Sequence, residues 1–170
     1  MGTCILGFLL SILVTLIPSL IVIILLWWLD RYEKEPLWLL SIVFFWGAVP
    51  TIVLSLLSQI ILDVPLNKVL GHSVLYPLTN LSIVAPLTEE TFKALVLLAL
   101  FVFYRREFDG VVDGILYGAL VGFGFSVVED VFYFMGSLLG GEGWAGWGTT
   151  VALRVGLYNL NHSLFAACTG

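Results

Sequence analysis

Charged residues are scarce in this chain. Of its 170 residues only 11% are Asp, Glu, Lys or Arg, whereas 60% are hydrophobic, and the mean hydropathy is +1.07. A soluble domain carries roughly 25% charged residues, so the composition excludes the soluble globular class. With only 2 cysteines the chain cannot build a disulfide framework. It also lacks the basic block that would indicate binding to nucleic acid.

The hydrophobic residues lie in runs long enough to cross a bilayer, which takes about 20 mostly apolar residues per helix. Backbone polar groups must be satisfied internally in hydrocarbon, so these runs are predicted to be helices. Five spans can be drawn, at about residues 5–29, 37–62, 78–104, 111–139 and 147–170. The sequence therefore predicts an all-α polytopic transmembrane bundle, with one domain over residues 1–170. The last residues of the chain are still apolar or small. This is also what is expected of a fragment of a longer bundle whose later spans are absent.

Basic residues in the connections predict the orientation of the chain. The first and third loops carry Arg31, Lys34, Arg105 and Arg106, against Lys68 alone in the other two. The positive-inside rule then places loops one and three in the cytoplasm and the N-terminus outside. The lipid bilayer is thus the expected surroundings of the protein.

Six ionisable residues lie well inside the predicted spans, where a charge costs at least about 2.5–3.5 kcal/mol on insertion scales. They are Glu89, Glu90, Lys93, Glu129, Asp130 and His162. At 1.5 Å per residue, Glu89 and Glu129 lie about 15–16 Å below the same membrane edge. His162 lies about 22 Å from the start of its span, or less if that helix begins later. Three sequence-distant polar positions are therefore predicted to converge on one layer of the bundle.

Lys93 is the nearest cation to the paired glutamates. It follows Glu89 by four residues and Glu90 by three, so it can pair with either on one helix face. One interpretation is that this ion pair only holds helices together. That interpretation leaves Glu129 and His162 without an explanation.

Carboxylates and an imidazole gathered in a low dielectric also suit hydrolysis. Closely spaced carboxylates cannot all ionise there, which supplies a neutral acid beside an ionised base. A carboxylate base activates water, and an imidazole stabilises the oxyanion or binds a metal. Because zinc accepts both ligand types, Glu89, Glu90, Glu129 and His162 are also candidate ligands of Zn²⁺. The residues alone leave metal-dependent and metal-free hydrolysis open.

Other polar residues are candidates for supporting roles. Asn159 and Asn161 are placed to orient His162 or to bind a substrate backbone. Asp113 is most simply a cap at the start of the fourth span, and Arg154 is interpreted as extending to the membrane interface. A ridge of small residues that permits close helix approach occupies Gly114, Gly118, Gly122 and Gly124.

Three motifs follow in order, each on its own predicted span: E-E-x-x-K at 89–93, F-x-x-x-E at 125–129, and then His162. With the stretches at 30–36 and 106–114, this pattern resembles the PrsW family of intramembrane proteases, within the superfamily of type II CAAX prenyl endopeptidases and their Abi relatives. The resemblance assigns the active centre to Glu89, Glu90, Glu129 and His162. The sequence departs from the family pattern at Asp130, where Asn is expected.

The resemblance implies an enzyme that cleaves membrane-anchored proteins, of metallo- or glutamic type. The best-known role of the family is the first cut of an anti-sigma factor in bacterial regulated proteolysis. A single-pass membrane protein is thus the expected substrate, in a bacterial or archaeal cell membrane. Two alternatives from other classes stay open: a proton-coupled transporter or channel subunit, since intramembrane carboxylates also relay protons, and a non-catalytic scaffold that binds partner helices through the glycine ridge.

Overall fold

The computed structural model describes residues 2–29, 35–71, 73–158 and 161–170. Three parts of the sequence interpretation lie outside these described residues: residues 30–34 of the first predicted loop, which runs from 30 to 36, His72 in the second predicted loop, and the candidate Asn159. Every regular element in the described part of the chain is a helix. This confirms the all-α fold class.

The helices are short segments joined into longer rods. The α-helices are α1 Gly2–Leu29, α2 Leu37–Trp46, α3 Ile52–Leu70, α4 Leu75–Thr79, α5 Ala85–Phe103, α6 Val111–Ser137, α7 Gly143–Leu153 and α8 Asn161–Thr169. Wider π-helical turns continue them at Gly47–Thr51, Asn80–Val84 and Arg154–Tyr158. At Leu138–Glu142 the helical path is instead broken by a kink at Gly141, whose φ is 105°. As a result α2 and α3 form one rod, and α4 and α5 form another. Single π-helical turns of this kind are frequent near functional sites.

Three helical stretches are long and apolar enough to cross a membrane. They are Cys4–Leu25, Leu37–Leu70 and Val111–Gly141, which match the first, second and fourth predicted spans. The third predicted span corresponds to the rod of α4 and α5, which carries three charged residues in its middle. Large apolar side chains are exposed along the outer faces of all these helices, as expected for surfaces that face lipid. The chain is therefore an integral membrane protein.

The second span is longer than predicted. Helix α3 continues through Pro65 to Leu70, eight residues past the predicted end at Leu62. Pro65 removes one backbone hydrogen bond but does not stop the helix. The helix ends at Gly71, whose φ of 57° is a left-handed value that favours glycine.

Helix α6 is the centre of the bundle. It packs against α1, α2, α5, α7 and α8, and its middle is buried from Leu116 to Val127. The glycine ridge explains how so many helices approach it. Gly118 and Gly122 lie against the backbone of α8, whereas Gly124 lies against the backbone of α2 at Phe44. The ridge therefore serves helix packing inside this chain, as the sequence predicts.

Candidate active site

Polar side chains from α5, α6 and α8 meet in the middle of the bundle. The Lys93 Nζ atom lies 2.7 Å from Glu90 Oε1 and 3.0 Å from His162 Nδ1. The His162 Nε2 atom in turn lies 3.0 Å from Glu129 Oε2. The convergence that the depth calculation predicts is therefore present in the structure.

These contacts define the proton arrangement of His162. A lysine ammonium group can only donate, so the Nδ1 atom of His162 accepts from Lys93. The ring proton of neutral His162 then resides on Nε2, which donates to Glu129. One chain of hydrogen bonds thus runs from α5 through α8 to α6.

Phe125, the aromatic residue of the F-x-x-x-E motif, packs against this cluster and contacts both Lys93 and His162. It precedes Glu129 by four residues and therefore shares its helix face. The Lys93 Nζ atom lies 4.0 Å from the centre of the Phe125 ring, and the rings of Phe125 and His162 are 4.9 Å apart. A cation over an aromatic face is attracted by the ring quadrupole. Phe125 therefore helps to hold Lys93, which is only 1% exposed.

Arg154 is the residue that the sequence interpretation placed wrongly. It does not extend to the membrane interface. Its Nη2 atom lies 2.5 Å from Glu129 Oε2, and its Nε atom lies 2.5 Å from Asp130 Oδ1. The guanidinium also lies 3.9 Å from the centre of the Tyr133 ring. Arg154 thus supplies the cation that the two adjacent acids of α6 need.

The pairing of Arg154 strengthens the interpretation that the buried charges only hold helices together. Ion pairs now account for Glu129 and Asp130 as well as for Glu90. Within the described residues, however, Glu89 makes no hydrogen bond and no ion pair. A purely structural network gives no reason for an acid without a partner in this position.

Glu89 faces a cavity of about 430 Å³ between α3, α5 and α6. Glu129 lines the same cavity, and most of the remaining wall is apolar. The outer edge is formed by apolar side chains that are exposed on the surface of the bundle, among them Leu56, Leu81 and Phe132. The cavity can therefore be reached from the side of the bundle that lipid covers.

Two supporting candidates lie outside this cluster. The Asp113 carboxylate accepts hydrogen bonds from the backbone N–H groups of Asp109 and Gly110, at 3.2 and 2.8 Å. It therefore caps α6, and it precedes Glu129 by sixteen residues, roughly 24 Å of helix. Asn161 begins α8 directly before His162 and is half-buried. Its side chain has no hydrogen bond among the described residues.

The predicted metal ligands can be tested against this arrangement. Within the described residues, no group of three or more His, Cys, Asp or Glu side chains is placed to hold one metal ion. Lys93 lies between Glu90 and His162, and Glu129 is shared by Arg154 and His162. A cation in each of these positions does not fit a metal centre. The Zn²⁺ site stays a prediction.

The fold and this cluster define a class of protein. Two carboxylates, Glu89 and Glu129, line a cavity in a bundle of membrane-spanning helices, and the imidazole of His162 contacts Glu129. This is the arrangement expected of an intramembrane hydrolase. A family model described as PrsW family intramembrane metalloprotease matches residues 35–170. The chain belongs to this family, which confirms the resemblance drawn from its three motifs.

Protease PrsW of Clostridioides difficile (strain 630) is similar to this chain. The two are 32% identical over 121 residues, which make up 71% of this chain and 49% of that protein. The chain thus spans about half the length of this curated relative. No solved structure matches the chain.

Proposed function

We propose that this chain is an intramembrane endopeptidase that uses Glu89 as the general base of peptide hydrolysis. Membership of the PrsW family supports the class of reaction. The observation that carries the assignment of the base is the position of Glu89, which faces the cavity and has no hydrogen-bonding or ionic partner among the described residues. Glu90 suits this role less well because Lys93 holds one of its oxygens at 2.7 Å.

The hydrolysis uses one water molecule. Glu89 takes a proton from the water as the water oxygen bonds to the carbonyl carbon of the substrate peptide. The tetrahedral oxyanion then collapses, the C–N bond breaks, and Glu89 returns the proton to the amine that leaves. Atoms and protons balance, and Glu89 ends in its initial state.

His162 and Glu129 have a second role in this proposal. The Nε2–H group of His162 donates to Glu129 in the resting arrangement. As the oxyanion forms, this N–H group turns from Glu129 to the oxyanion and stabilises it. Lys93 fixes the tautomer of His162 from the other side. Arg154 holds Glu129 in place, so that Glu129 orients the imidazole instead of competing with Glu89 for the water.

The substrate that suits the cavity is a membrane-anchored protein. The cavity lies in the same layer of the bundle as the acids and is bounded by apolar side chains that face lipid. A single-pass helix that approaches from the bilayer can therefore reach Glu89 without leaving the hydrocarbon. By resemblance to the family, an anti-sigma factor in a bacterial cell membrane is the leading candidate.

The experiment that tests this proposal compares two Glu→Gln variants of the purified protein in proteoliposomes, with a single-pass reporter protein as substrate. Glu89→Gln should lower the cleavage rate by at least about 100-fold, the usual contribution of a general base. Glu107→Gln, the same change in the loop between α5 and α6, serves as the matched control and should cleave normally. Normal turnover by Glu89→Gln, with unchanged thermal unfolding in both variants, would sink the assignment.

A further inference from the structure

One helix of the cavity wall carries polar side chains that the proposed chemistry does not use. Helix α3 contributes Ile52, Ser55, Leu56 and Gln59. These positions follow the i, i+3, i+4, i+7 spacing of one helix face. Two of the four are polar, although the opposite face of α3 is apolar and exposed. The polar pair therefore faces the same cavity as Glu89.

Ser55 has a hydroxyl group without a partner. It is 2% exposed, and its Oγ atom makes no hydrogen bond within the described residues. Some helical serines satisfy this group by donating to the carbonyl four residues earlier, as Ser11 does to Gly7 at 2.7 Å and Ser41 to Leu37 at 2.8 Å. Ser126 and Ser163 also lack a partner within the described residues, but they do not line this cavity. A buried hydroxyl without a partner is destabilising. The position of Ser55 on the cavity wall points to a ligand that supplies the missing bond.

Gln59 is held in place beside Ser55. Its Nε2 atom donates to Thr88 Oγ1 at 3.2 Å, and Thr88 directly precedes Glu89 in the chain. This bond leaves the Gln59 carbonyl oxygen and a second N–H group for other partners. The position of Gln59 is therefore coupled to the helix that carries the proposed base.

A protease of the membrane interior has a particular need for such groups. A substrate helix must unwind locally before a peptide bond can be cleaved, and each backbone group that is exposed in hydrocarbon then lacks the hydrogen bond it needs. Ser55 and Gln59 are four residues apart, or about 6 Å along α3. In an extended peptide, backbone groups that point the same way recur every two residues, or about 6.6 Å. The two spacings match closely.

We propose that Ser55 and Gln59 form a backbone-binding edge, which receives the unwound segment of the substrate through hydrogen bonds and presents its peptide bond to Glu89. Ser55 binds a substrate carbonyl or N–H group, and Gln59 binds the backbone group two residues along. These residues bind and position the substrate, and they take no part in proton transfer. The inference rests on the proposed function for the identity of the ligand.

Binding to an inactive protein tests the edge separately from proteolysis. The probe is a synthetic leucine–alanine helix of about 20 residues with a central glycine pair, in vesicles of phosphatidylethanolamine and phosphatidylglycerol. In the Glu89→Gln background, Ser55→Ala and Gln59→Leu should each raise the Kd of the probe about five- to tenfold, the value of one hydrogen bond. Thr51→Val is the matched control, because it also removes a buried hydroxyl without a partner but one that does not line the cavity.

An amide-to-ester replacement within the glycine pair gives a second measurement. It removes one backbone N–H group of the probe. If that group binds Ser55 or Gln59, the ester should bind the parent protein more weakly than the amide does. It should lose no further affinity for the variant that lacks the residue in question, Ser55→Ala or Gln59→Leu. Equal affinity of all variants for the probe, or no measurable binding to the parent protein, would overturn the edge. Weaker binding to the variants without any cleavage by the wild-type protein would retain the edge and refute the proposed protease function.

Discussion

Replacing Gly122 with alanine should displace α8 and His162 with it. A Cβ atom on Gly122 would lie 2.5 Å from the His162 carbonyl oxygen and 2.6 Å from the Ser163 Cα atom. The first separation falls about 0.9 Å short of the 3.4 Å at which ordinary contact begins. Both atoms belong to backbone, so a side-chain rotation cannot relieve the clash, and α8 must move away from α6.

A movement of this size is large compared with the tolerance of the site. The two hydrogen bonds of His162 are both 3.0 Å long, and a bond stretched beyond about 3.5 Å is lost. Misplacement of a reacting group by about 1 Å costs roughly 100-fold in rate, whereas overpacking costs only about 1–3 kcal/mol of stability. We therefore expect a folded Gly122→Ala protein with about 1% of the wild-type cleavage rate.

The matched control lies on the same helix. Gly136 also belongs to α6, but no atom of the described residues lies within 4 Å of a Cβ atom added there. Gly136→Ala should therefore cleave the single-pass reporter at the wild-type rate. Equal rates for the two variants would refute the argument that close packing at Gly122 positions His162.

Three further results are expected. Arg154→Met buries Glu129 and Asp130 without their cation and should lower the free energy of unfolding by about 3–5 kcal/mol; thermal unfolding in detergent measures this, and no loss would show that the pairs are not needed. Elemental analysis of the purified protein and a chelator assay test the Zn²⁺ prediction, which fails if a metal-free sample retains full activity with chelator present. With the two native cysteines replaced by serine, Arg106→Cys should react with an impermeant thiol reagent only from the cytoplasmic side and Lys68→Cys only from outside; the reverse pattern contradicts the predicted orientation.

The layer that holds the candidate site could be predicted from the sequence because helix geometry converts residue number into depth. A rise of 1.5 Å per residue places Glu89 and Glu129 at one level without any knowledge of side-chain positions. The E-E-x-x-K spacing likewise predicts contact between Lys93 and a preceding glutamate, which the structure has at Glu90. The catalytic roles of these residues stay predictions.

The role of Arg154 could not be predicted in the same way. Its position depends on how α7 returns toward α6, and the chain reverses there at Gly141 and Gly143, which have φ values of 105° and 62°. A glycine-rich stretch indicates a turn but not its direction. One signal was nevertheless present: Glu129 and Asp130 need a cation, and Arg154 is the only arginine or lysine that follows them in the sequence.

Helix α6 is synthesised before α7 and α8, and this order affects how the protein assembles in the membrane. Helix α6 leaves the ribosome with Glu129 and Asp130 before Arg154 and His162 emerge. It can therefore enter the bilayer with two acids whose partners have not yet arrived, at a cost of at least about 2.5 kcal/mol for each charged acid on insertion scales. Helices α7 and α8 must arrive before this cost is relieved. Release of the nascent chain between residues 137 and 154 should thus leave a membrane intermediate that quality-control proteases recognise by its unpaired acids.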